Sequence, residues 1–98
     1  MSDFRLKVFL SVAKNLSFTK ASQELFVSQP AITKHIQELE TCYQVRLFDR
    51  QGNKISLTEA GKLLQEHSEK ILEDYKRLEY EMHLLHNEYM GDLKLGAS

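Results

Sequence analysis

Between Thr58 and Met90 the chain carries no proline and only one glycine, Gly61. A stretch that long without a helix breaker predicts one continuous helix of ~50 Å, at about 1.5 Å per residue. Thr58 supplies an N-cap hydroxyl, Glu59 puts negative charge in the first turn, and Gly91 predicts the end. Along this helix Ala60, Leu64, His67, Ile71, Tyr75, Leu78, Met82, Leu85 and Tyr89 recur in steps of three and four. The spacing is close to a heptad seam, with one extra four-residue step near Tyr75. A single helix cannot bury such a stripe, and this one outruns a small domain. The pattern therefore predicts a second copy of the chain, with Leu64, His67, Ile71, Tyr75, Leu78, Met82, Leu85 and Tyr89 as the dimer interface.

The residues before this arm read as helix, helix, tight turn, helix, hairpin. Residues 3–14 form a first helix with Phe9, Val12, Ala13 and Leu16 on one side, and Phe4 and Val8 behind them. Ser17 caps a short second helix from about Phe18 to Phe26, whose inner face holds Ala21 and Leu25. Val27 leads to Ser28, which caps a third helix running from about Gln29 to Tyr43. Pro30 falls in its first turn, where a missing N–H costs nothing. Ile32, Ile36, Leu39 and Tyr43 form the inward stripe. The β-prone runs 45–50 and 54–57 flank Gly52-Asn53 and predict a hairpin. The fold class is thus mainly α: a winged helix-turn-helix followed by a long dimerisation helix.

Composition narrows the function. Apolar residues make up 42% and charged residues 28%, which excludes a disordered chain. No apolar run is long enough to span a membrane, and the first residues carry charge where a signal peptide needs an apolar stretch. Cys42 is the only cysteine, so no intrachain disulfide forms, which fits a reducing cytoplasm; its expected role is a small core residue. The net charge of −1 conceals a split: residues 1–57 hold 8 Lys+Arg against 5 Asp+Glu, and residues 58–98 hold 5 against 9. A basic head can bind phosphate whatever the chain average, although a solvated acidic helix beside a near-neutral domain gives the same numbers.

In a helix-turn-helix the second helix enters the major groove and offers its N-terminal side chains to base edges. With Ile32, Ile36 and Leu39 inward, the third helix shows Gln29, Pro30, Thr33, Lys34 and Gln37 outward. Glutamine suits adenine, lysine suits guanine, and threonine or proline suits a thymine methyl. No acid occupies this face before Glu38. Thr19 and Lys20, at the start of the second helix, are placed for phosphate. Arg50, Lys54 and the Asn53 amide sit near the hairpin tip, for the backbone or the minor groove. An ordinary amphipathic helix with a polar outside fits the third helix as well.

Taken in order, Ser17-Phe18-Thr19-Lys20-Ala21-Ser22, Val27-Ser28-Gln29-Pro30-Ala31-Ile32-Thr33-Lys34-His35-Ile36, Leu39-Glu40, Leu47-Phe48-Asp49-Arg50 and Leu57-Thr58-Glu59-Ala60-Gly61 resemble the LysR-type transcriptional regulators over residues 4 to 90. The resemblance implies a DNA-binding head at 1–57, a linker and dimerisation helix at 58–90, and at 91–98 the start of a linker to an effector-binding domain outside this chain. It also implies antiparallel pairing of two long helices, dimers and tetramers on interrupted palindromic operators, and a small-molecule effector held by the absent domain. The DNA-contacting positions it implies are Thr19, Lys20, Ser28, Gln29, Pro30, Thr33, Lys34, Gln37, Arg50 and Lys54. Thr33-Lys34-His35 stands where the family often shows Ser-Arg-Gln, and lysine lacks arginine's planar fork.

No Gly-rich phosphate loop, zinc spacing or triad signature is present, so neither an enzyme nor a cofactor is expected. His67, His83 and His86 have no Cys/His cluster around them and read as interface or surface groups, not metal ligands. Two alternatives stay open: a helical dimerisation and protein-interaction module without DNA binding, and the head of a molybdate-type regulator.

Overall fold

The computed structural model describes the backbone of residues 3–97 and the side chains of residues 4–88. The order is α1 (Asp3–Asn15), α2 (Phe18–Leu25), α3 (Gln29–Tyr43), β1 (Phe48–Gln51), β2 (Lys54–Leu57) and α4 (Glu59–Ala97). The chain measures 66 × 25 × 19 Å, because α4 projects from the small head.

Local chemistry sets the boundaries. Ser17 Oγ accepts from the Lys20 amide at 3.1 Å, and Ser28 Oγ accepts from the Ala31 amide at 3.3 Å, so each hydroxyl satisfies one orphan donor at a helix start. α2 and α3 end on Phe26 and Gln44, both left-handed, with φ of 57° and 56°. At each end the following residue also donates back to the last turn, Val27 to the Ser22 carbonyl and Val45 to the Glu40 carbonyl. The left-handed cap turns Phe26 out of the head, 93% exposed. β1 and β2 pair antiparallel from Phe48↔Leu57 to Gln51↔Lys54. Gly52 takes φ 61° at the first central position of the two-residue turn, as a II′ hairpin requires. Thr58 Oγ1 accepts from the Gly61 amide at 3.0 Å and caps α4.

The core gathers one stripe from each helix: Val8, Phe9, Val12 and Ala13 of α1, Phe18 and Ala21 of α2, and Ile32, Ile36 and Leu39 of α3, closed below by Leu47 and Phe48. Phe48 touches the rings of Phe9 and Phe18, which ties the wing to the helices. α1 packs against α2, α3 and α4, so it is the central element.

Four expectations change. Cys42 is exposed, not a core residue; it lies roughly a quarter turn off the stripe of Ile32, Ile36 and Leu39. Tyr43 lies on that stripe but is half-exposed, because the last turn of α3 overhangs the core. Leu16 turns outward at φ 49° just after α1. α4 continues through Gly91 to Ala97; a helical glycine costs only about 1 kcal/mol relative to alanine, and no proline blocks the ladder.

A polar brace locks α1 to α2. The Glu24 carboxylate accepts from Ser11 Oγ at 2.6 Å, Asn15 Nδ2 at 2.8 Å and Lys14 Nζ at 3.2 Å. These hydrogen bonds, Ser11 first, then Asn15 and Lys14, hold its pKa at about 2, below the ordinary 4.5. A depressed carboxylate contributes stability that is present above the unfolded-state value and is lost as pH falls through the folded one. Glu24→Gln should therefore lower the denaturation midpoint at neutral pH. The gap from the parent chain should narrow as pH falls from about 4.5 towards 2; a gap independent of pH would refute the brace.

Gly61 is a second constraint. A Cβ there would collide with the Leu47 carbonyl oxygen and sit 2.8 Å from Leu57 Cδ2. Helix propensity favours Gly61→Ala by roughly 0.5–1 kcal/mol. Overpacking against a backbone carbonyl opposes it by about 1–3 kcal/mol and should win. Net destabilisation in urea is the expected outcome, and a raised midpoint would show that Leu47 and Leu57 do not close on Gly61.

Candidate nucleic-acid interface

Burial of Ile32, Ile36 and Leu39 decides which way the rest of α3 faces. Gln29, Pro30, Thr33, Lys34 and Gln37 come together on one open surface of the head. Gln29, Pro30, Lys34 and Gln37 are exposed, and Thr33 is half-buried. A neighbouring depression shares Gln37 and adds Glu40, Thr41, Gln44, Val45 and Arg46.

The acids nearest this surface are engaged elsewhere. Glu38 lies 3.5 Å from Arg5 Nε and 3.6 Å from His35 Nδ1, on the α1 side of α3. Glu40 Oε2 accepts from the Leu47 amide at 2.9 Å. Neither α2 nor α3 has an acid in its first turn, so both positive helix ends are uncompensated. Among the described residues Lys20, Lys34 and Lys54 are exposed and enter no ion pair.

The flanking positions are also held open. Lys20 and Ser28 are exposed near the helix starts. The Ser28 oxygen caps α3 and keeps its own proton to donate. On the wing Arg50 forms no ion pair with Asp49; its guanidinium lies 5.1 Å from the Phe18 ring centroid, a cation–π contact. Thr19 Oγ1 donates to Gln29 Oε1 at 3.2 Å, linking α2 to α3. The structure thus brings Thr19 and Gln29 into direct contact and leaves the other expected positions open on the head. Sequence reasoning missed the partners of Arg50 and Thr19. Their separations, 32 and 10 residues, leave no local signal, though Thr19-to-Gln29 contact follows once the helix-turn-helix is granted.

The arm supplies a different surface. Ile71, Tyr75, Leu78, Met82 and Leu85 are exposed along α4, and so is His67. Leu64 is half-buried against the head's own core. The Tyr89 side chain lies outside the described residues. Where α4 leaves the head, Tyr43, Val45, Leu47, Ala60, Leu63, Leu64, His67 and Ile71 line an apolar cleft. Among the described residues no group of His, Cys, Asp and Glu could hold a metal, and no helix is long and apolar enough to cross a membrane.

Comparison with known proteins places this geometry. Residues 4–62 match the family model of the bacterial regulatory helix-turn-helix protein, lysR family. The chain is 42% identical to a probable RuBisCO transcriptional regulator of Thalassiosira pseudonana over 94 residues, 96% of this chain and 31% of that one. It is 36% identical to the HTH-type transcriptional regulator CitR of Bacillus subtilis over 97 residues, 98% of this chain and 33% of that one. The chain spans about a third of the length of these relatives, and both are transcriptional regulators. Among solved structures, the CbnR DBD–DNA complex superposes with a TM-score of 0.82 at 35% identity, covering 87% of this chain and 98% of that one. The BenM DBD/catB site 1 DNA complex gives 0.82 at 26% identity, covering 87% and 96%.

Proposed function

We propose that this chain, which belongs to the lysR family of bacterial regulatory helix-turn-helix proteins, reads double-stranded DNA with the outer face of α3. The carrying observation is that face itself. Gln29, Pro30, Thr33, Lys34 and Gln37 share one open surface while Glu38 and Glu40 are engaged elsewhere. Hydrogen-bonding side chains without competing carboxylates suit base edges in the major groove, where glutamine pairs with adenine and lysine with guanine. Lys20, Ser28, Arg50 and Lys54 flank them, for phosphate and sugar contacts that fix register without reading sequence, and Thr19 stands beside them in contact with Gln29.

The chain works as a pair. The exposed stripe of α4 from Ile71 to Leu85 is too apolar to stay in water, and a second α4 running antiparallel covers it. Two heads on such a stalk present two α3 helices roughly 34 Å apart, one turn of the duplex, to an interrupted palindrome. In the whole protein, which in its relatives is about three times this length, a further domain senses a small molecule and adjusts transcription, in the cytoplasm. Tetramers form there from two such dimers.

Selection of bound duplexes from a random pool, followed by titrations at stepped salt, tests this. Binding should weaken steeply with salt as lysine and arginine contacts release counterions. Gln29→Ala should cost about 1–3 kcal/mol on the selected duplex and relax base preference at one position of each half-site. Lys20→Ala should weaken all duplexes alike and lower the salt slope by about one. Leu78→Glu should halve the mass in sedimentation and abolish preference for paired half-sites. Undiminished discrimination by Gln29→Ala, or an undivided Leu78→Glu dimer, would overturn the corresponding half of the proposal.

A further inference from the structure

Thr19 stands at the second position of α2, a site suited to a phosphate contact, but its hydroxyl is already committed. Its single proton goes to Gln29 Oε1, 3.2 Å away. A hydroxyl has one O–H to donate, and a phosphate oxygen only accepts. The Thr19 hydroxyl can therefore donate to the DNA backbone or to Gln29, but not to both.

We propose that Thr19 is a positioning residue, which orients the Gln29 amide for adenine before the duplex arrives. The inference rests on the base-reading role of α3 and names the residue through which its first side chain is set. Both ends of the bond are fixed from below. The Ser17 cap and the buried Phe18 hold the start of α2, and the Ser28 cap and the buried Ile32 hold the start of α3. The Thr19 backbone is further tied by Ser22 Oγ, which donates to its carbonyl at 2.7 Å.

With Oε1 turned to α2, one of its two lone pairs is used and the other is free, while Nε2 is directed away from Thr19. Adenine needs that division: its amino group donates to the amide oxygen and its N7 accepts from the amide nitrogen. In the free protein both side chains are exposed and the bond competes with water. Docking excludes that water, which strengthens the bond when the base is read. A glutamine already held in one orientation also loses less rotamer freedom on binding than a free one.

A double-mutant cycle tests the assignment, using the duplex selected by the parent chain and the same duplex with the Gln29-read adenine replaced. Thr19→Val removes the donor at nearly constant shape and should lower the discrimination ratio roughly two- to tenfold, the worth of one hydrogen bond. Thr19→Ser should restore it. In a Gln29→Ala background Thr19→Val should change the ratio no further. A Thr19→Val loss equal on both duplexes, and additive with Gln29→Ala, would make Thr19 a phosphate contact and overturn the proposal, as would an unchanged ratio. If Gln29→Ala alone left discrimination intact, the base-reading assignment of α3 would fail, and the role of Thr19 with it.

Discussion

The burial of Ile32, Ile36 and Leu39 against α1 and α2 is the interaction on which the rest of the molecule depends. Three side chains at helical spacing, all within a few per cent of complete burial, fix the rotation of α3 about its own axis. Rotation by a quarter turn either way would bring Glu40 or Glu38 towards the core, at the cost of burying a charge. Core packing therefore determines the outward face, and the polar residues there need no mutual contacts to share one surface. The caps at Ser17 and Ser28 then set where α2 and α3 begin, which brings Thr19 opposite Gln29.

Much of this was legible in the sequence because its causes are local. Ser17, Ser28, Pro30 and Gly52 act within three or four residues of themselves, and each stands where its chemistry implies. The spacing of Ile32, Ile36 and Leu39 is likewise a short-range pattern, so the open face of α3 followed from it. Cys42, Tyr43 and Leu16 misled because a residue's type says little about whether the core reaches its position. The last turn of α3 extends past the head, and α1 closes on a left-handed residue. Gly91 misled for another reason, since glycine weakens a helix without ending it.

Contacts between distant residues were not legible. Glu24 with Ser11 and Asn15, Arg5 with Glu38, and Arg50 over Phe18 all join separate elements, so no spacing rule announces them. Their effect on the site is nevertheless large. The first braces α1 to α2, the second draws an acid towards α1, and the third holds the wing arginine beside the start of α2. The local charge of the site follows from these pairings more than from a net charge of −1.

The stalk and the head divide the work between them. α4 carries 9 of the chain's acids after residue 57 along with its exposed apolar stripe, which suits a helix that pairs with its own kind and stays clear of phosphate. Mapping backbone amide resonances while a selected duplex is titrated into the dimer examines the central assignment directly. The expected result is that the largest shifts gather at Thr19–Lys20, Gln29–Gln37 and Arg50–Lys54, with little change along Ile71–Leu85. Shifts centred on α1 or on the α4 stripe, with Gln29–Gln37 undisturbed, would contradict the claim that α3 enters the groove.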